Sequence, residues 1–206
     1  MILEDIVVGQ FEVNCYVLAA EEDRQAIIID PGAEEGKIRR ALAKHKLQAG
    51  LVINTHGHID HIGSDDKFDV PVYIHRKDMG LLTDSRLNLS NFLALPFTVK
   101  AKVHPVDDRQ IIALDGIELE AIHIPGHTSG GIALLLKKPK NKVLFSGDSL
   151  FFQGIGRTDF PGADEKTLIK SIKDKLLTLP DDTIIYPGHG PSSSIGRERS
   201  SNPFLN

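Results

Sequence analysis

Short runs of apolar and β-branched residues alternate with turn residues along most of this chain, so the pattern predicts mainly β-strands. The predicted strands are nine, at residues 6–8, 15–18, 26–29, 51–53, 70–74, 117–124, 132–136, 143–145 and 183–186. Asp115-Gly116, which follows Ile111-Ile112 and precedes the strand at 117–124, predicts a hairpin turn. Some of these runs are apolar throughout and others alternate, which is typical of mixed sheets.

Two segments have apolar residues at helical spacing instead. In the first they are Ile38, Ala41 and Leu42, and in the second they are Leu168, Ile169, Ile172, Leu176 and Leu179. Acidic residues precede both segments, as the positive end of a helix dipole favours, and Pro180 helps to end the second. Strands with widely spaced helices predict two mixed sheets packed together with helices outside, an α/β fold. The 206 residues fit a single domain spanning residues 1–206.

Composition narrows the class of protein. The hydrophobic share is 41% and the charged share 25%, and no apolar run approaches the roughly 18 residues of a membrane span, which excludes a membrane protein. The 24 basic and 28 acidic residues give a net charge of −4, which excludes a global positive field for nucleic acid. The one lysine-rich stretch, residues 137–142, is most simply a hairpin turn. The single cysteine, Cys15, fits a small buried apolar residue.

The first residues, Met-Ile-Leu-Glu-Asp, have acids where a signal peptide requires basic residues. Together with the single cysteine, this predicts a reducing compartment and a cytoplasmic location. The same observation counts against an exported antibiotic-degrading enzyme.

Five of the nine histidines lie in three compact motifs, which is the main chemical signal. Thr55-His56-Gly57-His58-Ile59-Asp60-His61 directly follows the predicted strand at 51–53 and places four metal-binding groups within six residues. Neither a core nor a solvated loop has a structural reason to collect three imidazoles and a carboxylate. A site on the loop after a strand is the better explanation. His45, His75, His104 and His123 receive no role.

Three further residues follow strands in the same manner. His127 comes after Ile124-Pro125-Gly126, Asp148 after Ser146-Gly147, and His189 after Pro187-Gly188. Imidazole and carboxylate ligands without thiolate suit zinc, iron or manganese. The seven candidate ligands exceed the four of a structural zinc site, so they predict two divalent metal ions, with zinc as the first choice.

These motifs resemble those of the metallo-β-lactamase-fold hydrolases, and the likeness extends from about Asn14 to His189. The resemblance implies an αββα sandwich with helices on the outer faces of two mixed β-sheets. It also implies that His56, His58 and His127 bind the first metal, that Asp60, His61 and His189 bind the second, and that Asp148 bridges them. Asn14-Cys15-Tyr16 and Asp30-Pro31-Gly32 match two further family features.

Within that family, residues 154–161 (Gly-Ile-Gly-Arg-Thr-Asp-Phe-Pro) and the segment after Tyr186 resemble short bacterial enzymes similar to glyoxalase II. This implies hydrolysis of a thioester such as S-lactoylglutathione by a metal-bridging hydroxide that Asp60 orients and deprotonates. Arg157 is a candidate for binding a substrate carboxylate, or else it pairs with Asp159 or another acid. The chain ends 17 residues after His189, before the helical domain of full-length glyoxalase II, so we expect weak saturation with glutathione thioesters.

Other functions remain open from the sequence. The persulfide dioxygenases also resemble this chain at residues 156–160, and that resemblance implies a single iron held by His56, His127 and Asp148. A lactonase or another ester hydrolase would share the site. A ribonuclease or a silent metal-binding module is a more distant alternative, and the acidic balance counts against RNA. The expected partner is a small-molecule thioester, with no nucleic acid and no membrane. The acyl group, the thiol carrier, the metal and the oligomeric state are left open.

Overall fold

The computed structural model describes residues 1–139 and 142–205, and all nine predicted strands belong to two six-stranded sheets. The first sheet keeps the same order in space as in the chain. Its strands are β1 (Ile2–Val8), β2 (Val13–Ala19), β3 (Gln25–Ile29), β4 (Gln48–Ile53), β5 (Val72–His75) and β6 (Val103–Val106). β1, β2 and β3 pair antiparallel, whereas β3 to β6 pair parallel. This sheet is therefore mixed.

The later strands form the second sheet and a small hairpin. They are β7 (Ile111–Leu114), β8 (Ile117–His123), β9 (Ile132–Lys138), β10 (Val143–Gly147), β11 (Leu150–Phe151), β12 (Gly154–Ile155), β13 (Ile184–Pro187) and β14 (Ser193–Ser194). β11 and β12 pair only with each other, and the order across the second sheet is β7-β8-β9-β10-β13-β14. Only β10 and β13 pair parallel, so this sheet is mixed as well.

The helices lie outside the sheets or in the connections between strands. They are α1 (Glu35–Lys44), α2 (Ile59–Ile62), α3 (Met79–Thr83), α4 (Glu165–Ser171), which continues as a π-helical turn (Ile172–Leu176), and α5 (Ile195–Ser201). Three 3-10 turns occupy Asp65–Lys67, Arg76–Asp78 and Ser90–Leu93. None of the helices within the described ranges is both long and apolar enough to cross a membrane.

Three apolar clusters give the αββα layering that the resemblance implies. The cluster between the sheets contains Tyr16, Leu18 and Phe145. The outer face of the first sheet packs against Ile38 of α1, and that of the second sheet packs against Leu168 of α4. The expected sandwich of two mixed sheets is confirmed.

β2 shows why a strand of this fold is apolar throughout. Tyr16 and Leu18 point between the sheets, while Cys15 and Val17 belong to the cluster on the α1 side. All seven residues of β2 are buried because both faces of the strand are covered. Cys15 is fully buried and free, as predicted, and burial raises the pKa of its thiol well above the usual value.

Most elements agree with the predicted pattern, and the differences have local causes. The β7–β8 turn has positive φ at Asp115 and Gly116, as the predicted two-residue hairpin requires. β6 was not predicted because its sequence, Val-His-Pro-Val, contains a proline; the strand lies at a sheet edge, where a missing N–H is tolerated. Residues 140 and 141 of the predicted lysine-rich turn lie outside the described residues.

Candidate metal centre

The seven candidate ligands lie just after four strands, five of them on loops and two, Asp60 and His61, in the short helix α2. His56 to His61 follow β4 of the first sheet, whereas His127, Asp148 and His189 follow β8, β10 and β13 of the second. The structure brings all seven together at one edge of the sandwich, and three groups of them have ligand atoms within 4.8 Å of one another. The loops of the two sheets therefore meet at a common site.

His56, His58 and His127 form what we call the first group. The distance from His56 Nε2 to His58 Nδ1 is 3.1 Å, and His127 Nε2 lies 3.3 Å and 3.0 Å from these two atoms. A tetrahedral zinc ion with Zn–N bonds of about 2.0–2.1 Å would separate its nitrogen ligands by about 3.3 Å. The spacing of the three nitrogens therefore fits one small metal ion.

Asp60, His61 and His189 form the second group, in which a carboxylate takes part. His61 Nε2 and His189 Nε2 lie 3.8 Å and 3.5 Å from Asp60 Oδ2. This group is more open than the first, because 28% of the His189 side chain is exposed while His56, His58 and His127 are nearly inaccessible. Its donors also fit a metal ion, now with an anionic ligand.

Asp148 lies between the two groups. Its Oδ1 is 3.5 Å from His61 Nε2, and its Oδ2 is 3.5 Å from His189 Nε2 and 3.7 Å from His127 Nε2. Among the described residues, the buried atoms His61 Nε2 and Asp148 Oδ1 have no hydrogen-bond partner. Buried polar atoms normally have a hydrogen-bond partner. The unpartnered His61 nitrogen and Asp148 oxygen therefore fit a metal ion bound between them.

Backbone carbonyls orient two of the histidines. His127 Nδ1 donates to the carbonyl of Arg157 at 2.7 Å, and His189 Nδ1 donates to the carbonyl of Phe11 at 2.9 Å. A carbonyl only accepts, so the proton of each neutral ring is on Nδ1 and the lone pair on Nε2 faces the site. The arrangement is typical of metal-binding histidines.

Asp30 supports the second group, although its only signal in the sequence is the Asp-Pro-Gly match. It is buried, and its Oδ2 lies 3.0 Å from His61 Nδ1. It also accepts from the backbone N–H and the hydroxyl of Thr55, each at 2.7 Å. The partner atoms come from residues 25 and 31 positions away, so no local motif reveals this network.

Asp78 is a second buried carboxylate whose supporting role the sequence pattern did not predict. It accepts from the hydroxyl of Thr128 at 2.7 Å, from the N–H of Gly130 at 2.6 Å and from the N–H of Gly57 at 3.3 Å. It thereby ties the loop that carries His56 and His58 to the loop that carries His127. Asp78 is thus a positioning residue for the first group.

The two groups have opposite electrostatics. Burial and the neighbouring His61 lower the pKa of His56 well below its usual value, and burial and His127 lower the pKa of His58 to about 3. Burial would also lower the pKa of His61, but Asp148, Asp60 and Asp30 raise it to about 10. The first group offers neutral ligands, whereas the carboxylates around the second group attract positive charge.

Glycine is required beside Asp148. A Cβ on Gly188 would lie 2.1 Å from Asp148 Oδ1 and 2.9 Å from His61 Cε1. Any side chain there would displace two of the candidate ligands. Gly188 of the Pro-Gly-His motif is therefore needed for lack of space beside Asp148, in addition to its role in the turn.

A cleft of about 630 Å³ opens over the site. Its lining includes His58, Asp60, His127, Asp148 and His189, and most of the remaining lining is apolar: Phe11, Ile59, Leu89, Phe92, Leu93, Phe151, Phe160 and Pro161. Arg157 also lines the cleft, where its guanidinium binds both oxygens of Asp159 and stacks 4.5 Å from the ring centroid of Phe160. The predicted pairing with Asp159 is present, and so is the position facing the site.

Comparison with known proteins gives consistent matches. The profile of the Metallo-beta-lactamase superfamily matches residues 8–189. The hydroxyacylglutathione hydrolase GloC of Haemophilus influenzae is 38% identical over 213 residues, which cover 100% of this chain and 99% of that protein. The structure of BLEG-1 B3 metallo-beta-lactamase matches with a TM-score of 0.92, 38% identity and full coverage of both chains. The structure of TTHA1623 in a di-iron-bound form matches with a TM-score of 0.83 and 33% identity, covering 98% of this chain and 100% of the other.

Proposed function

The chain belongs to the metallo-beta-lactamase superfamily, and we propose that within it this protein hydrolyses thioesters such as S-lactoylglutathione. The observation that carries the proposal is Asp148, whose two carboxylate oxygens face the two ligand groups from between them. Such an arrangement suits a pair of divalent ions, and His56, His58 and His127 would hold one while Asp60, His61 and His189 would hold the other. Zinc is the proposed metal, with iron or manganese as substitutes.

Metal ions bound there would supply Lewis acidity, which lowers the pKa of a bound water and polarises a carbonyl. The protein contributes the position and charge of its own groups. Asp60 lines the cleft, and its carboxylate is held 3.5 Å from His189 Nε2. Burial would raise its pKa, but His61 and His189 lower it below the usual value. An ionised Asp60 at this position accepts a hydrogen bond from a water molecule and so orients it.

The choice of a thioester has two supports. GloC, which is described as a hydroxyacylglutathione hydrolase, is similar over the whole chain. A thiolate is also a good leaving group. The pKa of the corresponding thiol is near 8.5, so the thiolate can leave without protonation by a strong general acid. The described part of the cleft offers no such acid besides the candidate ligands and Asp159.

Arg157 is the proposed anchor for a substrate carboxylate. Its ion pair with Asp159 is mostly exposed, and exposed ion pairs contribute little because solvent screens them, so a substrate anion can compete with Asp159. We expect Arg157→Ala to raise KM for S-lactoylglutathione more than it lowers kcat, since the guanidinium lies on the cleft wall beyond the ligands.

The decisive experiment is an anaerobic assay of S-lactoylglutathione with protein loaded separately with zinc, iron and manganese. We expect hydrolysis without oxygen in at least one metal form, and its loss in Asp60→Asn. A negligible rate in all three forms, with oxygen uptake by the iron form on glutathione persulfide, would instead favour the dioxygenase that uses His56, His127 and Asp148.

Hydrolysis of β-lactams is a second candidate, because BLEG-1, described as a B3 metallo-beta-lactamase, matches with full coverage. The same metal-loaded samples should be assayed with a chromogenic cephalosporin. We expect its kcat/KM to be lower than that for S-lactoylglutathione. The reverse order would make the β-lactam the better assignment.

A further inference from the structure

A second, smaller cavity adjoins the cleft. Its volume is about 140 Å³, and four residues line both spaces: Phe11, Ile59, Asp60 and Leu93. Asp60 is therefore at the boundary between the small cavity and the candidate metal centre. When a carbonyl group reacts at that centre, a substituent on its carbon can extend into this cavity.

The walls of the cavity are predominantly apolar. The side chains are those of Val8, Phe11, Val13, Ala33, Ile59 and Leu93, and the remaining lining comes from Gly9, Gln10, Gly32 and Asp60. Val8 and Val13 are almost completely buried, so the inner wall is rigid core rather than loop. Such walls favour hydrocarbon and offer little to a hydroxyl or a charge.

The size of the cavity limits its occupant. An apolar cavity of about 150 Å³ in another protein binds benzene, so about six carbon atoms fit a space of this size. A glutathione moiety is far larger than that. Only the smaller half of a thioester, its acyl group, fits the cavity, while the thiol half has the open cleft of about 630 Å³.

We infer that this cavity is an acyl pocket, and that the preferred substrates are thioesters of short unbranched fatty acids of about four to six carbons. The inference rests on the proposed thioester hydrolysis and specifies its substrate class. Leu93 and Ala33 are the specificity-determining residues: Leu93 lines both the pocket and the cleft, and Ala33 contributes a small side chain to the pocket wall. The walls beyond Asp60 are apolar, so a lactoyl group, which has fewer methylenes to bury there than a butyryl group, gains less from the pocket, and lactoyl thioesters are the poorer substrates.

The test is a series of thioesters that share one neutral thiol, N-acetylcysteamine, and differ in the acyl group: acetyl, butyryl, hexanoyl and lactoyl. Each buried methylene should raise kcat/KM about fourfold, so butyryl should exceed acetyl by more than about tenfold. Ala33→Leu fills the pocket and Leu93→Ala removes one wall, so both should lower the butyryl-to-acetyl ratio about fivefold or more. Leu95→Ala is the matched control, because Leu95 is 71% exposed on the same loop and lines neither space.

Binding is measured separately by calorimetry, with ketone analogues in which a methylene replaces the thioester sulfur. These should bind in the same order as kcat/KM and should respond to Ala33→Leu in the same direction. Hydrolysis that is independent of chain length, or fastest for lactoyl, with no effect of Ala33→Leu, would overturn the acyl pocket and leave thioester hydrolysis intact. If no thioester is hydrolysed, the proposed function is wrong, and the order of ketone binding alone decides whether the pocket accepts an apolar chain.

Discussion

Two regions of the molecule bring histidine rings into contact, and only one of them has the geometry of a metal site. In the candidate centre, the rings of His56 and His58 meet edge to face, with an interplanar angle of 89°, and His127 meets both in the same way. Away from the centre, His75 and His123 stack in parallel, with ring centroids 4.1 Å apart and an interplanar angle of 7°.

The difference lies in where the nitrogens point. Edge-to-face rings direct their nitrogens to a common point, and the carboxylate of Asp148 lies beside that point, 3.7 Å from His127 Nε2. Stacked rings direct their nitrogens sideways: His75 Nδ1 accepts from the N–H of Lys77 and His123 Nε2 contacts the carbonyl of Ser129. Neighbouring histidines alone therefore do not form a metal site. Their nitrogen lone pairs must converge on one point, and negative charge must lie beside that point.

The largest expected effect concerns the residue between the two ligand groups. Asp148→Ala removes a metal ligand from both groups, so we expect the metal content to fall from about two ions per chain to below one. We expect activity to fall more than a hundredfold, because loss of a residue that only hydrogen-bonds to a ligand already costs roughly 10–100-fold. Elemental analysis after reconstitution with excess zinc, with an activity assay, measures both.

Asp182→Ala, on the exposed surface, is the control for Asp148→Ala and should keep metal and activity. About one metal per chain in the wild type would contradict the dinuclear site. An Asp148→Ala protein that keeps both metals and its rate would contradict the bridging role.

Asp30→Asn should have the next largest effect, because it weakens the hydrogen bond that orients His61. Loss of such a partner costs about 10–100-fold in metal affinity, so we expect one of the two ions to be released at correspondingly lower chelator concentrations. Competition with a chromophoric chelator measures the affinity. Asp115→Asn, in the β7–β8 turn, is the isosteric control; equal affinities in all three proteins would show that Asp30 does not support the metal site.

The sequence predicted the ligand candidates but not their supports, and the reason is physical. His56, His58 and Asp60 stand together in one loop, so their pattern is visible in the chain. Asp78 binds Gly130 from 52 positions away, and only the packing of the two sheets brings them together. The same holds for the acyl pocket, whose walls come from β1, β2 and the loop at Leu93.

Likewise, regular strands with continuous burial, such as β2 and β10, follow from the apolar pattern, because both of their faces are covered. α5 was missed because its sequence, Ile-Gly-Arg-Glu-Arg-Ser-Ser, has little apolar periodicity. It forms because Ser194 caps it and the buried Ile195 anchors it to the outer face of the second sheet.

Asp78→Ala should mainly affect folding stability. It leaves the N–H of Gly130 and the hydroxyl of Thr128 without their acceptor, and each unsatisfied buried group costs about 1–3 kcal/mol. We expect the free energy of unfolding of the metal-free protein to drop by about 2 kcal/mol in denaturant titrations. Asp66→Ala, which removes an acceptor for Lys100 and Ala101 outside the site, is the control. A loss no larger than that of the control would refute the tie between the two ligand loops.

The stacked histidine pair gives the smallest effect and a pH dependence of its own. Burial, with help from His123 and Lys77, lowers the pKa of His75 to about 4, although Asp107 and Asp108 oppose the shift. An unfolded chain takes up a proton at a histidine pKa of about 6.5, whereas the folded chain takes it up only near 4. The unfolded state binds more protons between these values, so His75 destabilises the fold progressively as pH falls from 6.5 to 4.

His75→Phe keeps a flat ring beside His123 and removes the titrating group. We expect the variant to bind two metal ions per chain, like the wild type. Between pH 6.5 and 4 it should lose about 1 kcal/mol less stability than the wild type, a figure that allows for solvent screening at the half-buried His123. Thermal or urea unfolding across this pH range measures the change. His104→Phe, whose ring stacks on Tyr73, is the control for replacing a stacked histidine. If His75→Phe instead lowered the metal content, the stacked pair would belong to the metal site, and the contrast between convergent and stacked rings would fail.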